Sequence, residues 1–136
     1  MLYNTLKDGL KVVHWNAQGI TNSVLILELE HFLNQNQIDI FLINDTFFSL
    51  HHKFKIRNYK IHKKDRITHG GGVLIGIKNS IPHERSKNFP TLVIENVSII
   101  VKINNRSIRF TSVYCPQYTR NFNDDLDKIA EPNNQF

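Results

Sequence analysis

The fold of this chain is decided by residues 10–43, LKVVHWNAQGITNSVLILELEHFLNQNQIDIFLI. Residues 10–15 are mostly apolar and β-branched, which predicts a strand. Residues 38–43 are nearly all apolar and predict a strand that is buried on both faces. Between them, apolar residues recur every three to four positions from about Ser23 to Asn34, which predicts an amphipathic helix capped by Asn22 or Ser23. The stretch therefore predicts one right-handed βαβ unit with two adjacent, parallel strands.

The rest of the sequence changes to an antiparallel pattern. Strands are predicted at 59–62, 73–77, 92–103 and 107–114, a loop at 81–90 and a short helix at 124–130. The dipeptide Asn104-Asn105 can adopt the positive φ of a tight hairpin turn between the last two strands. A βαβ unit followed by such a meander predicts an α/β (α+β) domain, with two packed sheets and helices outside.

Composition narrows the class of protein. The chain has 136 residues, of which 40% are hydrophobic and 21% charged, which is typical of one globular domain or part of one. We expect no membrane partner, because no apolar stretch approaches the ~20 residues of a membrane span. Cys115 is the only cysteine, and the N-terminus has no secretory pattern, so an intracellular protein, nuclear or cytoplasmic, is predicted. The net charge of +5 is a weak bias toward polyanions such as nucleic acid.

Four short motifs stand at the ends of predicted strands. They are WNAQG at 15–19, NDT at 44–46, GGGV at 70–73 and VYCP at 113–116. In this order and spacing the motifs resemble the endonuclease/exonuclease/phosphatase superfamily, and especially the endonuclease domain of jockey-type non-LTR retrotransposons. The resemblance begins near Leu10, so residues 1–9 are expected to be a lead-in and residues 10–136 an incomplete domain of this type.

The resemblance implies a fold and a reaction. The fold would be part of a four-layer α/β sandwich of the deoxyribonuclease and apurinic-endonuclease type. The reaction would be hydrolysis of a DNA phosphodiester assisted by Mg²⁺, or by Mn²⁺ in its place. In full-length relatives the nick primes reverse transcription, so a reverse transcriptase domain is a possible partner in a longer protein.

Three strand-end residues correspond to functional positions of the superfamily. Asn16 is expected to hold groups of the metal site by hydrogen bonds, Asp45 to bind the metal, and Tyr114 to lie beside the scissile phosphate. The superfamily has glutamate where this chain has Asp45, so the carboxylate falls roughly 1.5 Å short. Without the resemblance, the three would be read as a turn asparagine, a capping or turn aspartate, and an aromatic residue at a strand end.

Two nearby features are expected to be structural. The glycine triplet permits positive φ and close backbone approach, and no GK[ST] motif follows that would indicate a nucleotide-triphosphate site. Glu95 lies in a region where some members of the superfamily carry a supporting carboxylate, but a solvated glutamate at the rim is the prediction for this chain. The histidines form no metal-ligand pattern.

The strongest charge feature is a basic stretch that we predict to bind DNA. Its cations are Lys53, Lys55, Arg57, Lys60, Lys63, Lys64 and Arg66. Phe54 and Tyr59 interleave with them, and nucleic-acid surfaces combine phosphate-neutralising cations with aromatic rings that stack on bases. The alternative is a solvated edge strand, where lysines discourage aggregation.

Other motifs of the superfamily do not follow Tyr114. The sequence contains no Gly-Asp-Phe-Asn-like motif and no Ser-Asp-His-like motif. We therefore expect a truncated endonuclease domain that does not cleave DNA unaided. The alternatives are a non-catalytic nucleic-acid-binding remnant, or a phosphodiesterase of the same superfamily that acts on another substrate, such as a phospholipid.

Overall fold

The computed structural model describes residues 2–5, 9–48, 52–64, 71–91, 93–115 and 122–130. Their elements, in chain order, are β1 Leu2–Thr5, β2 Lys11–Asn16, α1 Ser23–Gln35, β3 Ile40–Asn44, β4 Tyr59–Lys64, β5 Val73–Lys78, β6 His83–Ser86, β7 Glu95–Ile103, β8 Arg106–Tyr114 and α2 Phe122–Ala130. The predicted mixture of a βαβ unit and antiparallel strands in two sheets is confirmed.

The first sheet has five strands in the order β1-β2-β3-β5-β4. β2 and β3 are adjacent and parallel, with Val12 opposite Ile40 and Asn16 opposite Asn44. α1 connects them, as the sequence predicts. β1 was not predicted as a strand; it pairs antiparallel with β2, so residues 2–5 of the expected lead-in join the sheet.

The second sheet has three antiparallel strands in the order β6-β7-β8. Asn104 and Asn105 turn the β7–β8 hairpin with φ of 49° and 65°, as predicted. The prediction of a loop throughout 81–90 was wrong, because His83–Ser86 forms β6 and pairs with β7. This strand is short and polar, and its pairing depends on the β7 backbone rather than on an apolar pattern of its own.

Two apolar cores follow from the alternation of side chains along the strands. One lies between α1 and the first sheet, where Leu29 and Leu33 of the helix join Val13, Phe41 and Leu74. The other lies between the two sheets and contains Ile40, Leu42, Ile75, Val97 and Ile99. The layers are therefore helix, sheet and sheet. α2 is fixed to the segment before β7, because the buried carboxylate of Asp125 accepts hydrogen bonds from the amides of Val93 and Ile94.

α1 begins with the predicted cap. The side chain of Asn22 accepts a hydrogen bond of 2.8 Å from the amide of Val24, which satisfies one of the free donors of the first turn. Val24 and Leu27 are exposed on the opposite side from the core. No helix in the part of the chain that the structure describes is long and apolar enough to cross a membrane.

Tyr59 is buried where β4 begins, beside the end of α1. Its hydroxyl lies 3.0 Å from the carbonyl oxygen of Leu33 and 2.5 Å from that of Ile38. Burial, with a smaller contribution from the charge of Asp39, raises the pKa of Tyr59 to about 12. The Tyr59 hydroxyl therefore connects the start of β4 to the end of α1 and to the segment before β3.

A pair of histidines joins the two sheets at the β4 edge. Nε2 of His62 lies 2.7 Å from Nε2 of His83, and Nδ1 of His83 lies 3.0 Å from the carbonyl oxygen of Ile81. The ring of His83 therefore donates from Nδ1 and accepts from His62 at Nε2 when both are neutral. Burial, followed by the charges of His83, Arg85 and Lys60, lowers the pKa of His62 to about 4.

Candidate active site

The predicted site positions lie at one end of the two packed sheets. Asn16 ends β2 and is opposite Asn44, which ends β3. The second sheet reaches the same end, because Ser112 Oγ donates to the carbonyl oxygen of Ile43 over 3.1 Å. The side-chain amide of Asn44 donates to the carbonyl oxygen of Val113 over 3.0 Å. Tyr114, the last residue of β8, therefore lies at the same end as Asn16 and Asp45.

Asp45 is held in an uncommon backbone conformation. Its φ is 59°, in the left-handed region, which aspartate and asparagine enter more readily than other non-glycine residues. Its amide donates to the carbonyl oxygen of Gly72 over 2.8 Å, and its own carbonyl accepts from Gly19 over 2.8 Å. Its carboxylate oxygen Oδ1 accepts from the amide of Gly71 over 3.1 Å. Both the main chain and the carboxylate of Asp45 are thus fixed.

Gly71 and Gly72 have the structural role that the sequence predicts. Their φ angles are 73° and 93°, and a Cβ at Gly72 would meet Oγ1 of the buried Thr46 at 2.4 Å. Only glycine fits there without a shift of the neighbouring turn. Gly70, the first residue of the triplet, lies outside the described residues.

Glu95 is not the solvated rim residue that the sequence predicts. It begins β7 on the side that faces the first sheet, in phase with the buried Val97 and Ile99. Its Oε2 accepts a hydrogen bond of 2.7 Å from the amide of Gly72. The carboxylates of Asp45 and Glu95 therefore bind two successive amides, Gly71 and Gly72, from opposite sheets.

The other two predicted residues differ in their exposure. Asn16 is exposed at the end of β2. Tyr114 is half-buried, packs against the core between the sheets, and is the cross-strand partner of Glu95. The structure thus brings Asn16, Asp45 and Tyr114 to one end of the molecule, and their catalytic roles stay predictions.

The donor chemistry at this end, a carboxylate and an amide oxygen, is of the kind that a hard cation such as Mg²⁺ prefers. Besides the Asp45 carboxylate, Oδ1 of Asn44 is a buried acceptor without a partner, whereas Oε2 of Glu95 accepts from the amide of Gly72. Within the described ranges, no group of three or more His, Cys, Asp or Glu residues could hold a metal ion. Mg²⁺ is usually held by one or two carboxylates together with water and phosphate, so this donor set fits such a site and does not fit a cage made of protein ligands alone.

The cations of the basic stretch differ in their exposure to solvent. Its exposed cations are Lys53, Lys55, Arg57, Lys60 and Lys64. Lys63 is only partly exposed, because its ammonium group donates to the carbonyl oxygen of His52 over 2.6 Å and lies 5.5 Å from the ring centre of Phe48. Arg66 lies outside the described residues.

The aromatic residues of this stretch do not face solvent. Phe54 and Tyr59 are only 5% and 7% exposed, so the prediction that they could stack on bases was wrong. Alternation explains this, because Phe54 and Ile56 point into the core while Lys53 and Lys55 point outward. β4 is an end strand of its sheet among the described strands, as the solvated-edge alternative requires.

Sequence reasoning assigned no role to Asn44, although it belongs to the NDT motif, or to Ser112; these are polar residues that join the sheets. Asn44 follows the four apolar residues of β3, and Ser112 lies two residues before the end of β8. A polar residue on the buried face of a strand requires a hydrogen-bond partner, and that requirement is the signal that could have identified them.

Comparison with known proteins supports the resemblance seen in the motifs. No protein-family model matches the chain. It is 26% identical over 125 residues to the "probable RNA-directed DNA polymerase from transposon X-element" of Drosophila melanogaster, covering 90% of this chain and 14% of the relative. It is 26% identical over 117 residues to the corresponding protein from transposon BS of the same organism, covering 83% of this chain and 13% of the relative. The chain thus spans a small part of these relatives.

Several solved structures share the fold. The endonuclease domain of TRAS1, a telomere-specific non-LTR retrotransposon, matches with a TM-score of 0.63 and 15% identity over 88% of this chain and 50% of that domain. An AP endonuclease from Leishmania major matches with a TM-score of 0.64 and 12% identity, covering 90% and 45% of the two chains. An endonuclease/exonuclease/phosphatase family protein from Leptotrichia buccalis matches with a TM-score of 0.62 and 13% identity, covering 93% and 62%. The chain therefore has the fold of the endonuclease/exonuclease/phosphatase superfamily, and its predicted resemblance to the endonuclease domains of non-LTR retrotransposons is confirmed.

Proposed function

We propose that this chain is the first part of a retrotransposon-type endonuclease domain, whose Asp45 end binds a divalent metal ion and a DNA phosphodiester. The observation that carries the proposal is the convergence of Asn16, Asp45 and Tyr114 at one end of the two sheets. The fold neighbours, which include a retrotransposon endonuclease domain and an AP endonuclease, support a nuclease-type domain.

The chemistry assigned to each residue follows from its donor atoms. Asp45 would hold Mg²⁺ or Mn²⁺, which supplies charge stabilisation to the phosphate when bound. Tyr114 carries a hydroxyl that can donate to a phosphate oxygen, and Asn16 carries an amide that can orient groups of the metal site. These three residues therefore bind and orient, and none of them is a general base for water.

The proposed metal site is tested by binding rather than by turnover. Mn²⁺ titration of the 136-residue chain, followed by water-proton relaxation, should show saturable binding that is lost in Asp45→Asn. Asp45→Asn keeps the size of the side chain and its acceptor for the amide of Gly71, so the loss would report the missing charge. Equal binding by the wild type and Asp45→Asn would remove the basis of the proposal.

The partners of the site are proposed on the same basis. The substrate is DNA, and a reverse transcriptase domain would accompany the endonuclease in a longer protein, as the relatives described as RNA-directed DNA polymerases suggest. The nick would provide the primer terminus that such a polymerase needs.

A second candidate function is binding of nucleic acid without catalysis. It is favoured by the exposed lysines and arginine from Lys53 to Lys64. Such binding depends on phosphate neutralisation and is independent of metal. Retention of DNA binding by a chain that binds no Mn²⁺ would favour this function over the first.

A further inference from the structure

We propose that Glu95 is a positioning residue for the Asp45 carboxylate, and that it acts across the gap between the sheets through the backbone of Gly72. The inference rests on the proposed function, because the placement of Asp45 matters to a reaction only if this end holds the metal. It assigns Glu95 a different task from metal binding.

Hydrogen bonds connect the two residues through a single glycine. Oε2 of Glu95 accepts from the amide of Gly72 over 2.7 Å. The carbonyl oxygen of Gly72 accepts from the amide of Asp45 over 2.8 Å. Glycine has the widest conformational freedom of any residue. The amide of Gly72 donates to Glu95 of the second sheet, and its carbonyl oxygen accepts from Asp45. These two bonds restrict the backbone of Gly72, so Asp45 has a fixed hydrogen-bond partner.

Asp45 needs such support because its backbone is in a sparsely populated region. With a φ of 59°, it stays there only when its surroundings determine the conformation. Its carboxylate also accepts from the amide of Gly71, the residue before Gly72. A shift of Gly72 would therefore move both the main-chain partner and the side-chain partner of Asp45.

The ends of the two sheets are held in register by two further contacts. Asn44 donates to the carbonyl oxygen of Val113, and Ser112 donates to that of Ile43. We call these two contacts, together with the Glu95–Gly72 bond, the cross-sheet clamp. Glu95 is the only charged side chain in the clamp, and its β8 partner is Tyr114. The clamp therefore sets Asp45 at a fixed position relative to Tyr114.

Two conservative variants separate positioning from metal ligation. Glu95→Gln keeps the reach and an acceptor oxygen for the Gly72 amide but removes the charge. Glu95→Asp keeps the charge but withdraws the oxygen by one methylene, roughly 1.5 Å. A positioning residue tolerates glutamine and not aspartate, whereas a residue that acts through its charge tolerates aspartate better. Glu84→Gln, in the exposed part of β6, is the matched control.

The experiment measures amide hydrogen exchange and Mn²⁺ affinity on the full 136-residue chain. In Glu95→Asp, exchange at Gly72 and Asp45 should rise by roughly 10- to 100-fold, as expected for the loss of a hydrogen bond to a charged group. Mn²⁺ affinity should fall in the same variant. Glu95→Gln and Glu84→Gln should stay within a few-fold of the wild type in both measurements. Exchange in β7 reports whether the sheet itself is intact.

Each outcome decides the proposal. Exchange at Asp45 that is unchanged in Glu95→Asp would overturn it, as would a greater loss of Mn²⁺ binding in Glu95→Gln than in Glu95→Asp. If the wild type binds no Mn²⁺, the proposed function fails. In that case exchange at Asp45 alone still decides whether Glu95 holds this turn in place.

Discussion

At the scale of single residues, the turn at Asp45 depends on a glycine that has no room for a side chain. A Cβ at Gly72 would lie 2.4 Å from Thr46 Oγ1, and the φ of Gly72 is 93°. Gly72→Ala should therefore destabilise the chain by about 2–4 kcal/mol, from backbone strain together with overpacking. Gly9→Ala is the control, because Gly9 has a φ of 83° but a Cβ at that position would have no atom within 4 Å. Urea denaturation that gives equal losses for both variants would contradict the steric argument.

Tyr59 provides a second prediction at this scale, for alkaline pH. Its pKa is about 12 in the folded chain, against an ordinary value of 10.0. The unfolded chain therefore loses this proton first. The contribution to stability is complete below pH ~10 and is lost as the pH rises toward ~12. Absorbance titration should show one tyrosine that ionises late, and Tyr59→Phe should remove that phase. A late phase that persists in Tyr59→Phe would assign it to another tyrosine.

Sequence reasoning selected Asn16, Asp45 and Tyr114 as candidates because each stands at the end of an apolar strand, or directly after it, within a recognisable motif. It did not find the bond of Glu95 to Gly72. Residue 95 and residue 72 meet only when the two sheets are packed and in register, and the sequence pattern contains no information on that packing. The burial of Phe54 and Tyr59 was missed for another reason, because these rings pack into the core between α1 and the first sheet and were read from their basic neighbours instead.

At the scale of elements, strands and helices with a strong apolar periodicity were predicted correctly, and those with a weak periodicity were missed. The parallel β2–β3 pair, α1 and the β7–β8 hairpin were all predicted, because each buries a long apolar face. β1 and β6 have four residues each and pair at the outside of their sheets. Short outer strands depend on backbone pairing with a neighbour, so their own side chains carry little signal.

The exposed basic stretch before and within β4 leads to a prediction about DNA binding. Replacing Lys53, Lys55 and Lys64 together by glutamate should weaken binding of a short duplex by more than about 10-fold, because each lysine that contacts phosphate contributes to counterion release. Lys102→Glu, in the exposed part of β7, is a single-charge control. Fluorescence anisotropy at several salt concentrations should also show a shallower salt dependence in the triple variant. An unchanged salt dependence would identify the basic stretch as a solvated surface only.

At the scale of the whole molecule, the chain covers 45% to 62% of the three solved structures described above. Both sheets and the cross-sheet clamp around Asp45 lie within this chain. Placement of Asp45 is therefore determined within these 136 residues. The proposed function therefore separates metal binding by Asp45 from the later superfamily motifs, which the sequence after Tyr114 does not contain.

This separation predicts how nuclease activity will respond to two changes, the substitution Asp45→Glu and the addition of the later motifs. The chain should not nick supercoiled DNA with Mg²⁺ or Mn²⁺, because groups that act on phosphate and water cannot be replaced by more metal. Asp45→Glu alone should not restore activity. Fusion to the remaining part of a related endonuclease domain should give weak nicking, since acid–base and electrostatic groups each contribute orders of magnitude to the rate.

In that fusion, Asp45→Glu should raise nicking further, most clearly at low metal concentration. The longer carboxylate recovers the roughly 1.5 Å of reach that aspartate lacks, and the gain should shrink with Mn²⁺ or with excess Mg²⁺. Glu84→Asp, at an exposed position of β6, serves as the control for a change of one methylene elsewhere. Metal-dependent nicking by the 136-residue chain itself, abolished by Asp45→Ala, would show instead that a working site can be built from Asn16, Asp45 and Tyr114 without the later motifs.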